Sequence, residues 1–480
     1  MRPGSVWVAC ASALGIALLG VGSAGTGGSV KAVAAATPTP TNVNVSQRQS
    51  NESEETVAVS PTDPRNIVIE TNIAPRAAGL FEAVSFDGGT TWPIHRVIGT
   101  GPDDPLKGAC CDASLSFDQY GNLFMTYLYL IGGTVPNVVP VALSTDKGVT
   151  FNVIANIDSS AKRNGTNGDD RGLFRFVDQP TITTGANQAW LVFNAGGPIV
   201  ATGAPVTGLG QVGPFITAEV VPGTNNCTYG DVAIGPKGQV MSVCTLTETG
   251  EGGGTLRVNV DPDGIGPQGF GDSVAVIDTH IGGFHFIPAQ IDRSIDSEPG
   301  LAWDRTGGPH NGRVYVVYTF EPSNGTENTD IFVRFSDDQG ATWSTPVRVN
   351  DDTTMNSQFL PKISLDQTTG KIAVVWYDSR NDLGTGGGGD TNGVPNDDAQ
   401  FWGAFSTDGG QTFTKNIQIS AGTSNSHDSG NHIDYGDYTG LSFYGGVAHP
   451  AWADNSNSTG DNPDGRLHQL DIYTAAVPAP

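Results

Sequence analysis

The stretch that decides the fold is Ser85-Phe-Asp87-Gly-Gly89-Thr-Thr91-Trp92, because its pattern Ser-x-Asp-x-Gly-x-Thr-aromatic occurs four times in the chain. The other copies are Ser144-Thr-Asp146-Lys-Gly148-Val-Thr150-Phe151, Ser336-Asp-Asp338-Gln-Gly340-Ala-Thr342-Trp343 and Ser406-Thr-Asp408-Gly-Gly410-Gln-Thr412-Phe413. The glycine permits the positive φ of a tight turn, and the Asp, Ser and Thr side chains can hydrogen-bond the backbone of the same turn. We therefore interpret the motif as a structural turn, not as a group of catalytic residues.

The spacing of the motifs indicates how many units the chain contains. The four copies start 59, 192 and 70 residues apart, and 74 residues follow the start of the last copy. The long interval has room for two units that lack the motif, which gives seven units of about 60 residues, a period typical of propeller blades. The two weakest units span residues 178–222 and 228–278, where apolar and polar residues still alternate. Hairpin patterns in the other units lie at 57–68, 115–125, 301–315, 363–373 and 441–448.

With these four motifs, the chain resembles the sialidase-like BNR (Asp-box) repeat β-propeller superfamily. The resemblance covers nearly all of the mature chain and implies a single all-β domain of four-stranded antiparallel blades over residues 51–477. Sialidases have six blades, so six is the alternative to seven if one weak unit is an insertion. The last unit shows only three strands. We expect Thr41–Ser46, within a linker over residues 37–50, to supply the fourth strand and close the ring.

Composition excludes several other classes of protein. Charged residues make up only 15% of the chain, which is too few for a long coiled coil. The 49 acidic residues exceed the 24 Lys and Arg residues and give a formal charge of −25. This charge excludes nucleic acid as a partner and disfavours anionic membrane surfaces.

The N-terminus predicts export. Arg2 precedes an apolar run from Val6 to Val21, and small residues offer cleavage sites at Gly22-Ser23-Ala24 and Ala34-Ala35-Ala36. We interpret residues 1–36 as a signal peptide with a small-residue spacer, since the run is short for a membrane anchor. The mature protein is expected to be secreted, without a membrane span, and monomeric.

Four cysteines remain after this cleavage, an even number that favours disulfides in an exported protein. Folding the predicted hairpin about Pro236 brings Cys227 and Cys244 nearly opposite each other, so we predict that bond. The adjacent Cys110 and Cys111 either form a strained vicinal disulfide or pair elsewhere, with Cys227 among the partners. Their spacing does not suit a zinc finger.

Acidic residues occur at matching positions before the first strand of several units. Each of four acids lies three residues before a position in the predicted first strand of its unit. The pairs are Glu54 and Val57, Asp112 and Leu115, Asp178 and Thr181, and Glu298 and Leu301. Asp231 and Asp437 occupy similar places in two further units. In a closed ring these acids would converge and raise one another's pKa values, as general acids require. We take Asp112 and Glu54 as candidate catalytic residues, and Asp178, Glu298 and Asp437 as candidate substrate ligands. The alternative is that each acid binds local backbone amides.

The resemblance to sialidases implies further site residues. Sialidases bind the substrate carboxylate with three arginines and use a tyrosine nucleophile, but the Phe/Tyr-Arg-Ile-Pro motif expected before the first turn motif is absent here. Arg380, Arg171 and Arg175 are the candidate substrate-binding arginines. Tyr435 and Tyr438 are the candidate nucleophiles.

A long polar loop follows Asp378 and contains a candidate metal site. Asp390, Asn392, Asp397 and Asp398 supply the hard oxygen ligands that Ca²⁺ prefers, although the spacing is not that of an EF-hand. A solvated loop without an ion is the alternative. No cofactor is expected to be required.

Two functions from different classes fit the sequence. The first is an exported sialidase-like glycoside hydrolase that acts on a terminal sugar of a glycan or glycoprotein. The second is a non-catalytic propeller that binds glycan or protein, and a polysaccharide lyase is a third reading on the same fold. The missing arginine motif weakens the first reading for anionic sugars.

Overall fold

The computed structural model describes residues 39–73, 79–130, 138–157, 176–247, 250, 252–322 and 325–480. The predicted signal peptide lies outside these residues and stays a prediction. Across the described segments, no helix is long and apolar enough to cross a membrane.

The described strands form seven antiparallel blades around a central axis, which confirms the seven-bladed propeller. In each blade the first strand is innermost, and the inner strands of neighbouring blades contact one another around the whole ring. The two weak units of the sequence are genuine blades, so the six-bladed alternative is wrong.

The first four blades follow the chain in order. Blade I contains β2 (Glu52–Val59), β3 (Ile67–Ile73), β4 (Leu80–Ser85) and β5 (Ile94–Ile98). Blade II contains β6 (Ala109–Phe117), β7 (Leu123–Tyr129), β8 (Val139–Ser144) and β9 (Asn152–Ile157). Blade III contains β10 (Asp178–Gly185), β11 (Gln188–Asn194), β12 (Ile199–Gly208), β13 (Gln211–Val212) and β14 (Glu219–Val220). Blade IV contains β15 (Cys227–Ile234), β16 (Val240–Thr247), β17 (Gly254–Asp261) and β18 (Val274–Thr279).

A short hairpin separates blade IV from blade V. It consists of β19 (His285–Ile287) and β20 (Gln290–Ile295), and we call it the inserted hairpin. Blade V contains β21 (Gly300–Trp303), β22 (Val314–Phe320), β23 (Asp330–Ser336) and β24 (Val347–Arg348). Blade VI contains β25 (Gln358–Leu365), β26 (Ile372–Asp378), β27 (Gln400–Ser406) and β28 (Ile417–Gln418).

Blade VII closes the ring with the N-terminal strand. After a single 3-10 turn (His427–Ser429), it contains β29 (Gly440–Tyr444), β30 (Val447–Asp454), β31 (Asp471–Ala475) and the short β32 (Val477–Pro478). Strand β1 (Asn42–Asn44) pairs antiparallel with β31, and Val43 lies opposite Thr474. The predicted closure by residues 41–46 is therefore confirmed.

The four motifs are turns that join the third and fourth strands of blades I, II, V and VI. In every copy the Thr hydroxyl donates a 2.6 Å hydrogen bond to the Asp carboxylate, and the glycine N–H donates to the Ser hydroxyl. The glycine φ values lie between 79° and 87°, in the left-handed region that favours glycine. The motifs thus satisfy their own polar groups, as expected.

Antiparallel strands place these turns and the beginnings of the inner strands on opposite faces of the ring. We call the two faces the motif face and the start face. The start face also carries the long loops between second and third strands, such as residues 379–399. Between the faces, adjacent blades pack through buried aromatic residues that include Trp190, Trp303, Trp376 and Trp452.

Both disulfides of the described chain lie in inner-strand hairpins. Cys227 and Cys244 are bonded, with their Cα atoms 5.8 Å apart, which confirms the predicted pair. Cys110 and Cys111 form the vicinal bond, so pairing with Cys227 does not occur. The vicinal disulfide immediately precedes Asp112 at the beginning of β6.

Candidate active-site cleft

Bulges near the beginnings of the inner strands bring acidic side chains together on the start face. In blades I, II and III the pairing register shifts between Ser53 and Thr56, between Cys111 and Ser114, and between Asp178 and Thr181. Glu54, Asp112, Gln179 and Glu298 have positive φ values of 60°, 54°, 45° and 46°. A bulge changes the direction of the side chain beside it. The three-residue offset that these acids share in the sequence therefore reflects a bulge that recurs at the same place in several blades.

Asp178, Glu298 and Asp437 line a cleft of about 390 Å³, and Glu54 and Asp112 lie next to it. Its lining includes Asp178, Gln179, Arg293, Glu298 and Asp437. Two further lining side chains, Phe176 and Phe284, are 38% and 56% exposed at its edge. The cleft is therefore acidic within and aromatic at the rim.

Asp112 and Asp178 form a hydrogen-bonded pair of carboxyl groups. Burial, followed by the Asp112 charge, raises the pKa of Asp178 well above its usual range. Burial also raises the pKa of Asp112, while hydrogen bonds from Asp178 and from the Gln179 N–H, 3.1 Å away, act in the opposite direction. Two buried carboxyl groups in contact cannot both ionise readily. Because the Asp112 carboxylate also accepts the Gln179 N–H, we infer that Asp178 carries the shared proton.

Glu54 lies beside this pair and connects three blades. Its carboxylate accepts hydrogen bonds from the Asn72 side chain and from the Asp437 N–H, the latter at 3.2 Å. The Asn72 side-chain oxygen accepts the Asp112 N–H at 2.8 Å. Burial, together with the Asp437 and Asp112 charges, raises the pKa of Glu54 well above its usual value. Glu54 therefore both binds backbone, as the alternative reading expected, and belongs to the acidic cluster.

Sequence reasoning missed three residues of the cleft, Gln179, Asp296 and, most importantly, Arg293. It lies on β20 of the inserted hairpin, forms an ion pair with Asp437, and its Nε lies 2.7 Å from the Asp437 carboxylate. Gln179 donates a second hydrogen bond to Asp437 at 3.2 Å. The only available signal was the surplus of about 20 residues between the end of blade IV and the beginning of blade V.

Glu298 forms a second carboxyl pair, with Asp296. The Glu298 N–H donates to the Asp296 carboxylate at 2.6 Å. Burial and the neighbouring Asp296 raise the pKa of Glu298, which is only 3% exposed. Asp231 is different, because its carboxylate accepts the backbone N–H groups of Val232 and Leu301 at 2.7 and 2.8 Å. These two hydrogen bonds account for Asp231 as a residue that binds local backbone amides, which was the alternative expected from the sequence.

A narrower cavity of about 260 Å³ continues along the axis. Its lining includes Tyr229, Lys362 and Tyr438, and the Lys362 amine donates to the Tyr229 hydroxyl at 3.2 Å. Burial, followed by the Asp112 and Glu54 charges, raises the pKa of Tyr438 well above its usual value. The buried Tyr438 hydroxyl has no hydrogen-bond partner among the described residues.

The structure places the other sequence candidates away from the cleft. Tyr435 is fully buried and stacks on Tyr377 with ring centroids 4.2 Å apart. Arg380 forms ion pairs with Asp378 and Asp351 at 2.8 Å and lies over the Trp402 ring. Neither side chain lines the cleft. Arg171 and Arg175 lie outside the described residues.

The loop after β26 brings three carboxylates together. Ligand atoms of Asp382, Asp390 and Asp398 lie within 4.8 Å of one another, a spacing that could hold a cation. The set overlaps the predicted calcium ligands but adds Asp382. Asn392 instead donates to Asp397 at 3.1 Å, and neither of these two belongs to the group.

Comparison with known proteins finds similar solved structures but identifies neither a family nor a reaction. No protein-family model and no curated protein matches the chain. Among solved structures, a Dyadobacter fermentans protein of unknown function is similar at 16% identity with a TM-score of 0.44, over 71% of this chain and 94% of that one. The α-L-arabinofuranosidase Arb93A of Fusarium graminearum is 13% identical with a TM-score of 0.45, over 71% and 93%.

A third similar structure is the phage phi92 endosialidase, at 9% identity and a TM-score of 0.48, over 92% of this chain and 69% of that one. Identities this low carry no information about substrate. The function is therefore inferred from the side chains of the cleft.

Proposed function

We propose that the protein is a glycoside hydrolase that cleaves a neutral sugar from a glycan in the start-face cleft. The observation that carries this proposal is the Asp112–Asp178 carboxyl pair beside an aromatic-edged cleft. Glycosidases generally require one carboxyl group that keeps its proton at neutral pH and another that stays charged.

The cleft contains candidates for both roles. Asp178 keeps the shared proton and is the candidate general acid, which protonates the glycosidic oxygen as the bond to the leaving group breaks. Water then adds to the anomeric carbon and gives one proton to the Asp178 carboxylate, which restores the acid. Asp437 is ion-paired with Arg293 and is the candidate anionic partner, which stabilises the positive charge that develops on the sugar. Gln179 directly follows Asp178 in the chain and links the carboxyl pair to Asp437. Its N–H donates to Asp112, and its side-chain amide donates to Asp437.

Charge and shape favour a neutral sugar over a sialic acid. The described lining contains the carboxyl groups of Asp178, Asp296, Glu298 and Asp437, and its single arginine is already paired with Asp437. The carboxylate of an anionic sugar would therefore find no free cationic partner among the described lining residues, and the charged Asp437 would repel it. The exposed rings of Phe176 and Phe284 offer apolar faces for the C–H surface of a sugar, an arrangement typical of ligand clefts.

The direct test is product release from a panel of neutral aryl pyranosides and furanosides and of sialosides. We expect turnover of at least one neutral glycoside, and loss of this turnover in Asp178→Asn. Turnover of sialosides alone would replace the neutral-sugar proposal with the sialidase-like activity expected from the resemblance. Failure of the folded protein to hydrolyse any of these linkages would contradict a hydrolase of this specificity.

A non-catalytic glycan-binding propeller is the second candidate. It is favoured by the backbone hydrogen bonds that Asp112 and Glu54 accept, since these bonds give both acids a structural task. Binding of glycans in a calorimetric titration, with affinity unchanged in Asp178→Asn and no turnover, would support this second candidate.

Three expectations from the sequence stay proposals of their own. We propose secretion after cleavage of residues 1–36, which N-terminal sequencing of the exported protein would test. We propose a monomer, which light scattering would test. We also propose calcium in the loop after β26, held by Asp390 and Asp398 of the four ligands expected from the sequence and by Asp382 in addition. Titration with Ca²⁺ should give a signal that Asp390→Asn abolishes.

A further inference from the structure

A second group of candidate metal ligands lies behind the cleft wall, and it differs chemically from the acidic loop. Ligand atoms of Asp292, His427 and Asp434 lie within 4.8 Å of one another. The His432 Nδ1 lies 3.4 Å from the Asp292 carboxylate, and the His427 Nδ1 lies 3.8 Å from it. Asp292, His427 and Asp434 thus form one group, drawn from β20 and from the segment before β29, and His432 adjoins this group through Asp292.

The Asp434 carboxylate provides a second observation, separate from the ligand spacing, that points to a bound ligand. The residue is 0% exposed, and its Oδ2 accepts the N–H groups of Asp292 and Arg293 at 2.8 and 2.9 Å. Its other oxygen, Oδ1, is buried without a hydrogen-bond partner among the described residues. A buried carboxylate oxygen left without a donor is costly, unless a cation or another ligand occupies the space beside it.

We propose that Asp292, His427, His432 and Asp434 bind one divalent cation of the zinc class. Mixed imidazole and carboxylate ligands suit Zn²⁺, whereas Ca²⁺ prefers oxygen ligands alone. Ligands held 2.0–2.2 Å from a tetrahedral ion lie about 3.4 Å apart, close to the His432–Asp292 separation. The two histidines are exposed, with side-chain exposures of 58% and 84%, so an ion can reach the group from solvent.

The position of the site gives the ion a structural role near the cleft. Asp292 directly precedes Arg293, and Asp434 lies three residues before Asp437. A cation held by these neighbours would fix the inserted hairpin to the loop before β29, and so hold the Arg293–Asp437 ion pair in place. Existing hydrogen bonds already join these segments, since Gln290 contacts both Tyr435 and Gly436 at 2.8 Å.

The test measures metal binding directly and does not depend on the proposed hydrolase. Protein without a histidine tag is stripped with chelator, loaded with Zn²⁺ or Co²⁺, passed through a desalting column and analysed for metal by mass spectrometry. We expect about one equivalent per chain, a tetrahedral Co²⁺ absorption band, and a higher melting temperature with metal than without it.

The variants distinguish this site from other ligands on the surface. His427→Ala/His432→Ala should lose the bound equivalent and the metal-dependent rise in melting temperature. The matched control His280→Ala/His468→Ala removes two other exposed histidines and should keep both. No stoichiometric metal in the native protein would overturn the proposal, and so would retention of the metal in the His427/His432 variant. Loss of zinc in Asp390→Asn with retention in that variant would assign the ion to the acidic loop and also overturn it.

Discussion

The two faces of the propeller use the same side chain in opposite ways. On the motif face, hydrogen bonds from the Thr91 side chain and backbone lower the pKa of Asp87 to about 2. On the start face, burial and the Asp112 charge raise the pKa of Asp178. The residue type is the same, so the difference comes entirely from the surroundings.

The surroundings differ in two physical respects. Each motif Asp has its own Thr hydroxyl and backbone N–H groups as donors, and water covers it, so the charged form is favoured. The start-face acids are buried and face one another, so their protonated forms are favoured. Charge on the motif face therefore serves folding, whereas the protons that the buried start-face acids retain are available for chemistry.

The largest expected effect is on turnover, which a substitution on the start face should lower and a substitution on the motif face should not. Asp178→Asn removes the candidate general acid, and we expect turnover of a neutral glycoside to fall about 10²- to 10⁴-fold. Asp338→Asn weakens only a motif turn, and we expect unchanged turnover with a loss of about 1 kcal/mol of unfolding free energy. Steady-state kinetics and urea unfolding measure both quantities.

The comparison between the faces fails if the two variants behave alike. Equal losses of turnover would mean that Asp178 acts only through stability. The unfolding free energy of Asp178→Asn settles this point. Asparagine is neutral, like the protonated Asp178, and can still donate a hydrogen bond to Asp112, so we expect this free energy to be nearly unchanged at pH 7.

The second effect concerns pH and stability. Burial raises the pKa of Glu55 to about 8, above the unfolded value near 4.5. The protonated form is favoured in the folded state, so its stabilising contribution is full below pH 4.5 and is lost as the pH rises towards 8. We expect a loss of roughly 3–5 kcal/mol of unfolding free energy over this window.

Glu55→Gln is the matched variant for this prediction, because glutamine has nearly the same shape and does not titrate. Its unfolding free energy should vary less with pH than that of the native protein between pH 5 and 8. Parallel curves for the two proteins would show that Glu55 does not carry the effect.

The third effect compares the two disulfides. The Cys227–Cys244 bond spans 17 residues, and its removal in Cys227→Ser/Cys244→Ser should cost about 3 kcal/mol through the entropy of the unfolded chain. The Cys110–Cys111 bond joins adjacent residues and closes almost no loop, so Cys110→Ser/Cys111→Ser should cost much less. Thermal and denaturant unfolding would measure both, and the reverse order would contradict the loop argument.

The smallest effect tests the two tyrosines. Tyr438→Phe should lower turnover about 10-fold, since its hydroxyl lies beside the Asp112 and Glu54 charges and loss of one transition-state contact has about this size. Tyr435→Phe alters a ring buried against Tyr377 and should leave turnover unchanged. Loss of activity in Tyr435→Phe alone would reverse the placement of the two residues.

Sequence reasoning recovered the repeated parts of the molecule well. The motif turns, the ring closure by β1, the Cys227–Cys244 bond and the convergence of Glu54, Asp112, Asp178, Glu298 and Asp437 all follow from local patterns at matching offsets. Because the same blade occurs seven times, a pattern found in one unit can be checked against the corresponding positions of the other units. This redundancy is why the fold could be predicted.

Reasoning from sequence failed where one segment contacts another without repetition. Arg293 comes from the inserted hairpin, which has no counterpart among the described residues of the other units. Tyr435 and Tyr438 lie three residues apart, and the turn at Gly436, with a φ of 84°, buries one beside Tyr377 and leaves the other along the axis. Arg380 lies two residues beyond the end of β26, and its ion pair with Asp351 from another loop holds it away from the cleft.

The sequence by itself determined the blade, its turns and the number of units, because short-range hydrogen bonds and alternation of apolar residues act within a few residues. Only the tertiary structure decided which acids share a proton, which arginine joins them and where a cation could bind. Those properties depend on burial and on distances between charges that lie up to several hundred residues apart in the chain, such as Glu54 and Asp437, and electrostatic energies change steeply with both.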